Sequence, residues 1–280
     1  CVDGNARVDQ VARNTLHVLD TAGASHIPVA VGARSPLIGE ALGAEEVHGS
    51  DGLGGLAPAQ AARPVDPRHA IELMRDIITT EEDPVTLVAL GPLSNVALFI
   101  ATYPDAAHSL ERIVIMGGST TGGNVTASAE FNIWHDPEAA QIVFSSGIPI
   151  TMYGLDVFYG LPVEDADLDF LRQRGGDVAT LAADLVQFLN KVPITDATLG
   201  DYGALASLIF PEWTEHEVMH VTIDTTQGPN RGRTVCDNRP EIPGIPFERL
   251  GHPCTIIMKT ESRKMVETWL STICETPQSP

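Results

Sequence analysis

Between Gly123 and Phe144 the chain reads GNVTASAEFNIWHDPEAAQIVF, placing a carboxylate, Glu130, between two carboxamides, Asn124 and Asn132. If EFNIW is extended, residues two apart share a face, so Glu130, Asn132 and Trp134 point together. A carboxylate and a carboxamide facing one way beside a glycine loop suit a polyhydroxylated ligand. Asp136-Pro137 has a different signature: Asp as helix N-cap with Pro at the first helical position.

Three other segments carry unusual residues at expected strand ends: ALGPLSN, MGGSTTGGN and YGLDV. Open α/β sheets bind ligands beyond the carboxyl ends of their strands. Glycine-rich turns there can hold anions through amides or hard cations through carbonyls. Taken singly, each segment reads equally well as plain turn chemistry. GGSTTGGN has neither GxGxxG spacing nor the Lys of a phosphate loop, which disfavours a dinucleotide site and with it an oxidoreductase. HEVMH, His216 to His220, matches a zinc motif that works only on a helix. Its β-branched, alternating context reads as a strand, which would set the two histidines about 13 Å apart.

The elements that must position these residues alternate along the chain. VDQVARNTLHVLDTAG has helical apolar spacing and ends at Gly23. IPVAVGA reads as a buried strand, and VHGSDGLGGLAPAQAARPV as a long functional loop. Then follow helix PRHAIELMRDIITTEE, strand VTLVAL, helix VALFIATYP, strand RIVIMGG, helix DPEAAQIVFSSG and strand IPITMYGLDV. That order predicts an α/β fold with a mostly parallel, doubly wound open sheet flanked by helices. Beyond Asp156, two helices (VEDADLDFLRQRG and VATLAADLVQFLNK) precede a loop and short helix in PITDATLGDYGALASLIFPEW. Residues 217–226 read as an antiparallel strand, and SRKMVETWLSTIC as a final helix. No internal repeat or linker divides the chain, so one domain over 1–280 is expected.

With 280 residues the chain can bury a substantial core. Its net charge of −20 argues against nucleic acid and anionic membranes as partners, and is compatible with a divalent cation or a neutral small molecule. No apolar run reaches a membrane span and no leader pattern is visible. Cys1, Cys236, Cys254 and Cys274 lack CxxC spacing, so reduced thiols in the cytoplasm are expected.

VALGPLSNVAL, IVIMGG, GNVTASAEFNIWHDPEAAQIVF and PITMYGLDV together resemble the inosine-uridine-preferring nucleoside hydrolases, in order and over more than half of the chain. The resemblance implies a Rossmann-like fold, a homodimer or homotetramer, a Ca²⁺ cofactor, and hydrolysis of the N-glycosidic bond of ribonucleosides. It implies that Asn124, Glu130 and Asn132 grip the ribose, with Asn5 nearby and Met116 beneath the sugar. Leu90 would offer its backbone carbonyl to Ca²⁺ and Asp201 its carboxylate, while the loop at VHGSDGLGG would lie over the site.

Two departures stand out. The family's Asp-rich signature, DxDxGxDD, which supplies most Ca²⁺ ligands and the water-activating Asp, is absent from these residues. The chain begins with Cys1, where the family's second strand ends, so the sequence is expected to be N-terminally truncated, lacking the first strand. Weak metal binding and little turnover are expected of it. An in-frame signature upstream of Cys1 separates that reading from the alternative, a non-catalytic nucleoside or sugar binder. The second departure is Gly200, which stands where many purine-accepting members carry His as leaving-group acid. Asp196, Tyr202 and His135 are the candidates to replace it, and the preferred base stays open.

Overall fold

The computed structural model describes residues 1–192, 197–240, 243 and 248–275. In chain order the first elements are α1 (Val8–Thr21), α2 (Glu45–His48), α3 (Ala70–Thr80), β1 (Thr86–Ala89), α4 (Ser94–Thr102), α5 (Pro104–His108) and β2 (Arg112–Met116). Next come α6 (Phe131–His135), α7 (Pro137–Phe144), β3 (Ile150–Tyr153), α8 (Leu155–Phe158), α9 (Asp165–Arg174) and α10 (Asp177–Leu189). The last are α11 (Gly200–Ile209), β4 (Thr214–Ile223), β5 (Thr234–Asp237), β6 (His252–Thr260) and α12 (Ser262–Glu275).

The six strands form one sheet in the order β1-β2-β3-β6-β4-β5. β1, β2, β3 and β6 run parallel, and β4 pairs antiparallel with both β6 and β5. Alternation along the strands divides the core between two faces. Ile113, Ile115, Ile150 and Met152 face a cluster with Phe99, Ala139, Ala140 and Phe144 of α4 and α7. Val114, Met116, Tyr153 and Ile257 face Ala204 of α11 on the other side. This is the expected mostly parallel α/β sheet, with an antiparallel extension at one edge.

HEVMH lies in β4, as its alternation predicts. The strand expected at IPVAVGA is instead extended chain with a single bridge, Ala30 to Asp66. Its backbone groups divide between two irregular neighbours, which prevents a ladder. Cys1 and Asp3 bond to Ala30, Gly32 and Ala33 on one side, while Asp66 and Ala70 bond to Val29 and Val31 on the other. Asn95 closes this seam: its Oδ1 accepts from Ala33 N (2.7 Å) and its Nδ2 donates to Cys1 O (2.8 Å).

EFNIW requires a correction, because residues 131–135 are helical. Glu130 is the N-cap of α6, accepting from the amides of Asn132 and Ile133, and this local capping outweighs the alternating pattern. In a helical turn residues two apart no longer share a face, so the common face of Glu130, Asn132 and Trp134 is lost, and Trp134 packs beside Gly232. Asp136 does cap α7 as predicted, accepting from Ala139 N at 3.1 Å.

Candidate functional site

The expected ribose grip condenses around the carboxylate of Glu130, which is 3% exposed. Its Oε2 accepts from Gly118 N (3.0 Å) and Ile133 N (3.2 Å), and Oε1 accepts from Asn132 N (2.9 Å). The Gly117-Gly118 turn therefore does hold an anion, and that anion is the protein's own side chain. Gly118 has φ +74°, and a Cβ there would come within 2.7 Å of Thr234 and 2.9 Å of Met152, so glycine alone fits. Burial pushes the Glu130 carboxyl up to about 7; the three amides pull the other way, and nearby Asp201 adds to the rise.

Asn132 donates through Nδ2 to Met116 O (3.0 Å), joining α6 to the end of β2. Asn124 is exposed, and its Oδ1 accepts from Phe131 N (2.9 Å), tying the glycine loop to the start of α6. Met116, Asn124, Glu130 and Asn132 thus belong to one bonded unit. Asp201 lies in the first turn of α11 and keeps part of its surface exposed. Desolvation of its carboxyl by the surrounding protein pushes the pKa up to about 6. Its charge also raises Glu130 and Tyr153, and Gly203, two residues further along α11, lies against the Tyr153 hydroxyl at the carboxyl end of β3.

Leu90, 44% exposed, follows β1 at that same end. Residues 2–5 run beside it: a Cβ on Gly91 would sit 3.5 Å from Val2, and one on Gly4 would sit 3.0 Å from Pro92. The exposed Asn5 is held by its carbonyl, which accepts from Ala44 N at 3.0 Å. The loop after α2 is organised by Asp51, whose carboxylate accepts from the amides of Leu53, Gly55 and Ala57. Gly54, φ +64°, lies against the ring of Phe188 in α10.

A Ca²⁺ ion is poorly served by these residues alone. Leu90 O and Asp201 fall well short of the 6–8 oxygens that Ca²⁺ takes, and among the described residues no three His, Cys, Asp or Glu side chains converge on a metal position. Of the candidate leaving-group acids, Asp196 lies outside the described residues. Tyr202 packs against the satellite core of Leu161, Leu171 and Met265. His135 is buried against Phe131, with ring centroids 5.7 Å apart, and that burial lowers its pKa.

The chain matches the family model for inosine-uridine preferring nucleoside hydrolase over residues 1–267. It belongs to that family. A pyrimidine-specific ribonucleoside hydrolase RihA of Photobacterium profundum is 42% identical over 240 residues, covering 84% of this chain and 77% of the relative. A namesake from an Enterobacter species is 41% identical with the same coverage. Among solved structures, the plant nucleoside hydrolase PpNRh1 superposes with TM-score 0.86 at 28% identity, covering 98% of this chain and 88% of that one. A purine-preferring ribonucleoside hydrolase from Gardnerella vaginalis gives the same score and coverage at 25% identity. The protein is therefore a hydrolase of ribonucleosides, and its matches include relatives of opposite base preference.

Sequence reasoning passed over two ties that hold the loop after β2. Asp156, after β3, accepts from Thr120 N (2.9 Å) and Thr120 Oγ1 (2.6 Å), and Thr234 Oγ1 accepts from Ser119 N (2.9 Å). The YGLDV segment carried the first signal as an Asp at a strand end. The second has no local trace, because its partners are 115 residues apart. Asp156→Ala is expected to destabilise the fold by about 2 kcal/mol, since it strands an amide and a hydroxyl. It should also raise KM for nucleosides by loosening the 119–123 loop. Thermal unfolding and steady-state kinetics check this, and a variant unchanged in both would remove Asp156 from the site's support.

Proposed function

We propose that this nucleoside hydrolase cleaves pyrimidine ribonucleosides, uridine foremost, to free base and ribose, with Ca²⁺ as its metal. The observation that carries the reading is the Glu130 unit: a buried carboxylate clamping the glycine turn to α6, with Asn132, Asn124 and Met116 bonded around it. Asn124, Glu130 and Asn132 would orient the ribose hydroxyls, Met116 would lie under the sugar, and Asn5 would border it. Such a fixed polar set favours an oxocarbenium-like ribosyl centre, where positive charge develops at the anomeric carbon. Water adds to that carbon as the bond to the base nitrogen breaks; the base leaves with the bonding pair and takes up the proton that the added water gives up. The pyrimidine preference rests on the names of the RihA relatives, each 40–42% identical.

Leu90 O and Asp201 would be two of the Ca²⁺ donors. Because two donors are few, the 280-residue chain is expected to bind Ca²⁺ weakly, with Kd about 10⁻³ M or higher. A single domain over 1–280 is supported by the continuous sheet, whose β6 joins β3 directly. The proposed working form is a cytoplasmic homodimer or homotetramer. The four cysteines are free, which suits a reducing compartment, and no helix among the described residues is long and apolar enough to cross a membrane.

The test is ribose release from uridine and inosine by the protein expressed from its complete reading frame. Uridine should be favoured at least about tenfold in kcat/KM, a difference near 1.4 kcal/mol, and chelation of Ca²⁺ should abolish turnover. Inosine favoured over uridine would overturn the base assignment. Ribose release untouched by chelation would overturn the metal, and release from no nucleoside would leave only a binding protein.

A further inference from the structure

α11 opens with Gly200-Asp201-Tyr202-Gly203, and its two glycines share one helix face. A Cβ on Gly200 would overlap the Cδ2 and Cε2 atoms of Phe158, and one on Gly203 would overlap the Tyr153 hydroxyl. Neither glycine has a positive φ, so space, not backbone conformation, demands glycine at both positions. The close approach is held from outside the helix. Leu199 N donates to Leu161 O (3.0 Å), and Thr198 Oγ1 donates to Phe158 O (2.8 Å). The Phe158 ring stands edge-on to Tyr159 (centroids 5.2 Å apart, planes at 83°) and keeps part of its surface open. It fills the volume in which any side chain at position 200 would begin, one residue from Asp201.

We infer that Phe158 is a specificity-determining residue, giving the leaving base an aromatic wall in the space that a side chain at position 200 would occupy. The inference rests on the nucleoside-hydrolase reading and deepens it. When the glycosidic bond breaks, the bonding pair goes to the base nitrogen. A uracil ring spreads that charge onto its carbonyl oxygens, whereas a purine leaves more readily once a donor protonates its imidazole ring. An aromatic wall stacks on the π-face of any base, excludes water and donates no proton. The Phe158–Gly200 pair therefore selects bases that leave as stabilised anions.

The test compares wild type, Phe158→Ala, Phe158→Leu, Gly200→His and the Phe158→Ala/Gly200→His double variant, all expressed from the complete reading frame. The readouts are kcat and KM for uridine and inosine, inhibition by ribose, and thermal unfolding. Loss of the ring should raise the uridine KM about tenfold or more, the scale of one base-aromatic stack, with ribose inhibition unchanged. Phe158→Leu keeps bulk without the π-face, so it should fold and still lose uridine affinity. Gly200→His should lower the unfolding temperature, and the double variant should recover it while moving the inosine-to-uridine ratio of kcat/KM about tenfold toward inosine. A folded Phe158→Leu with wild-type uridine KM, or a folded double variant with an unchanged ratio, overturns the inference while the hydrolase reading stands. A wild type that releases ribose from neither nucleoside sinks both.

Discussion

Glu130→Gln is expected to lower kcat/KM for uridine by at least about hundredfold, a loss of nearly 3 kcal/mol of transition-state stabilisation. The carboxylate has two acceptor oxygens and serves three backbone amides, those of Gly118, Asn132 and Ile133. A carboxamide has one acceptor oxygen, so its NH₂ must face at least one of those amides, donor against donor. The glycine turn and the start of α6 then separate, and Asn132 loses its alignment toward the proposed ribose hydroxyls. A pH measurement isolates the charge. The folded-state pKa of Glu130 is raised, to about 7 from an ordinary 4.5, so folding takes up a proton between those values. Its contribution to stability is complete below about pH 4.5 and is lost as pH rises through about 7. Denaturation of wild type and Glu130→Gln across that window should show their difference shrinking by about 3 kcal/mol, the size of a shift of this magnitude. A flat difference would mean that the carboxyl is ionised throughout, and an active Glu130→Gln would remove it from the ribose grip.

How much of this was legible beforehand depended on the range of the interactions. The parallel strands β1, β2 and β3 announced themselves as short apolar runs between glycine turns, because a strand buried on both faces needs little else. Glu130 and Asn132 stood out as a carboxylate and a carboxamide two residues apart beside a glycine loop, and Met116 was named only through the family resemblance. Their grouping was expected for a mistaken reason: alternation along a strand was invoked, but a capped helical turn brings them together. Five residues are too few to distinguish the two periods, and the decisive contacts, from Glu130 to the Gly118 amide, cross a loop. IPVAVGA failed to form a ladder because pairing depends on neighbours that local pattern does not describe. β5 and β6 were not foreseen: β5 has only four residues, and β6 takes its place between β3 and β4 through pairing with segments distant in the chain. Gly200 was visible as a departure from the family, but its cause, the Phe158 ring, lies 42 positions earlier in the chain and only the packing reveals it.

The largest loss of stability is expected from Asp136→Ala, at about 3–5 kcal/mol, a large share of the 5–15 kcal/mol that holds a typical domain folded. Asp136 is fully buried and serves three separate elements. Its Oδ1 accepts from Ala139 N at the start of α7, and its Oδ2 accepts from Leu37 N (2.9 Å) and from the hydroxyl of Ser94, the first residue of α4. Removing the carboxylate leaves the buried Ala139 amide and Ser94 hydroxyl and the partly buried Leu37 amide without their acceptor, a cost beyond that of a lost helix cap, which is about 1 kcal/mol. Ser94→Ala gives the scale of a single member: it deletes the donor along with its bond and should cost about 1 kcal/mol. Denaturant titration separates the two accounts. A loss near 1 kcal/mol for Asp136→Ala would reduce the residue to a cap, while a loss several times larger makes it the tie between the Leu90 turn, the 34–43 segment and the helix behind the ribose grip. In that case Ca²⁺ affinity should fall with stability, because Ser94 follows Leu90 by four residues and α4 holds that turn in place.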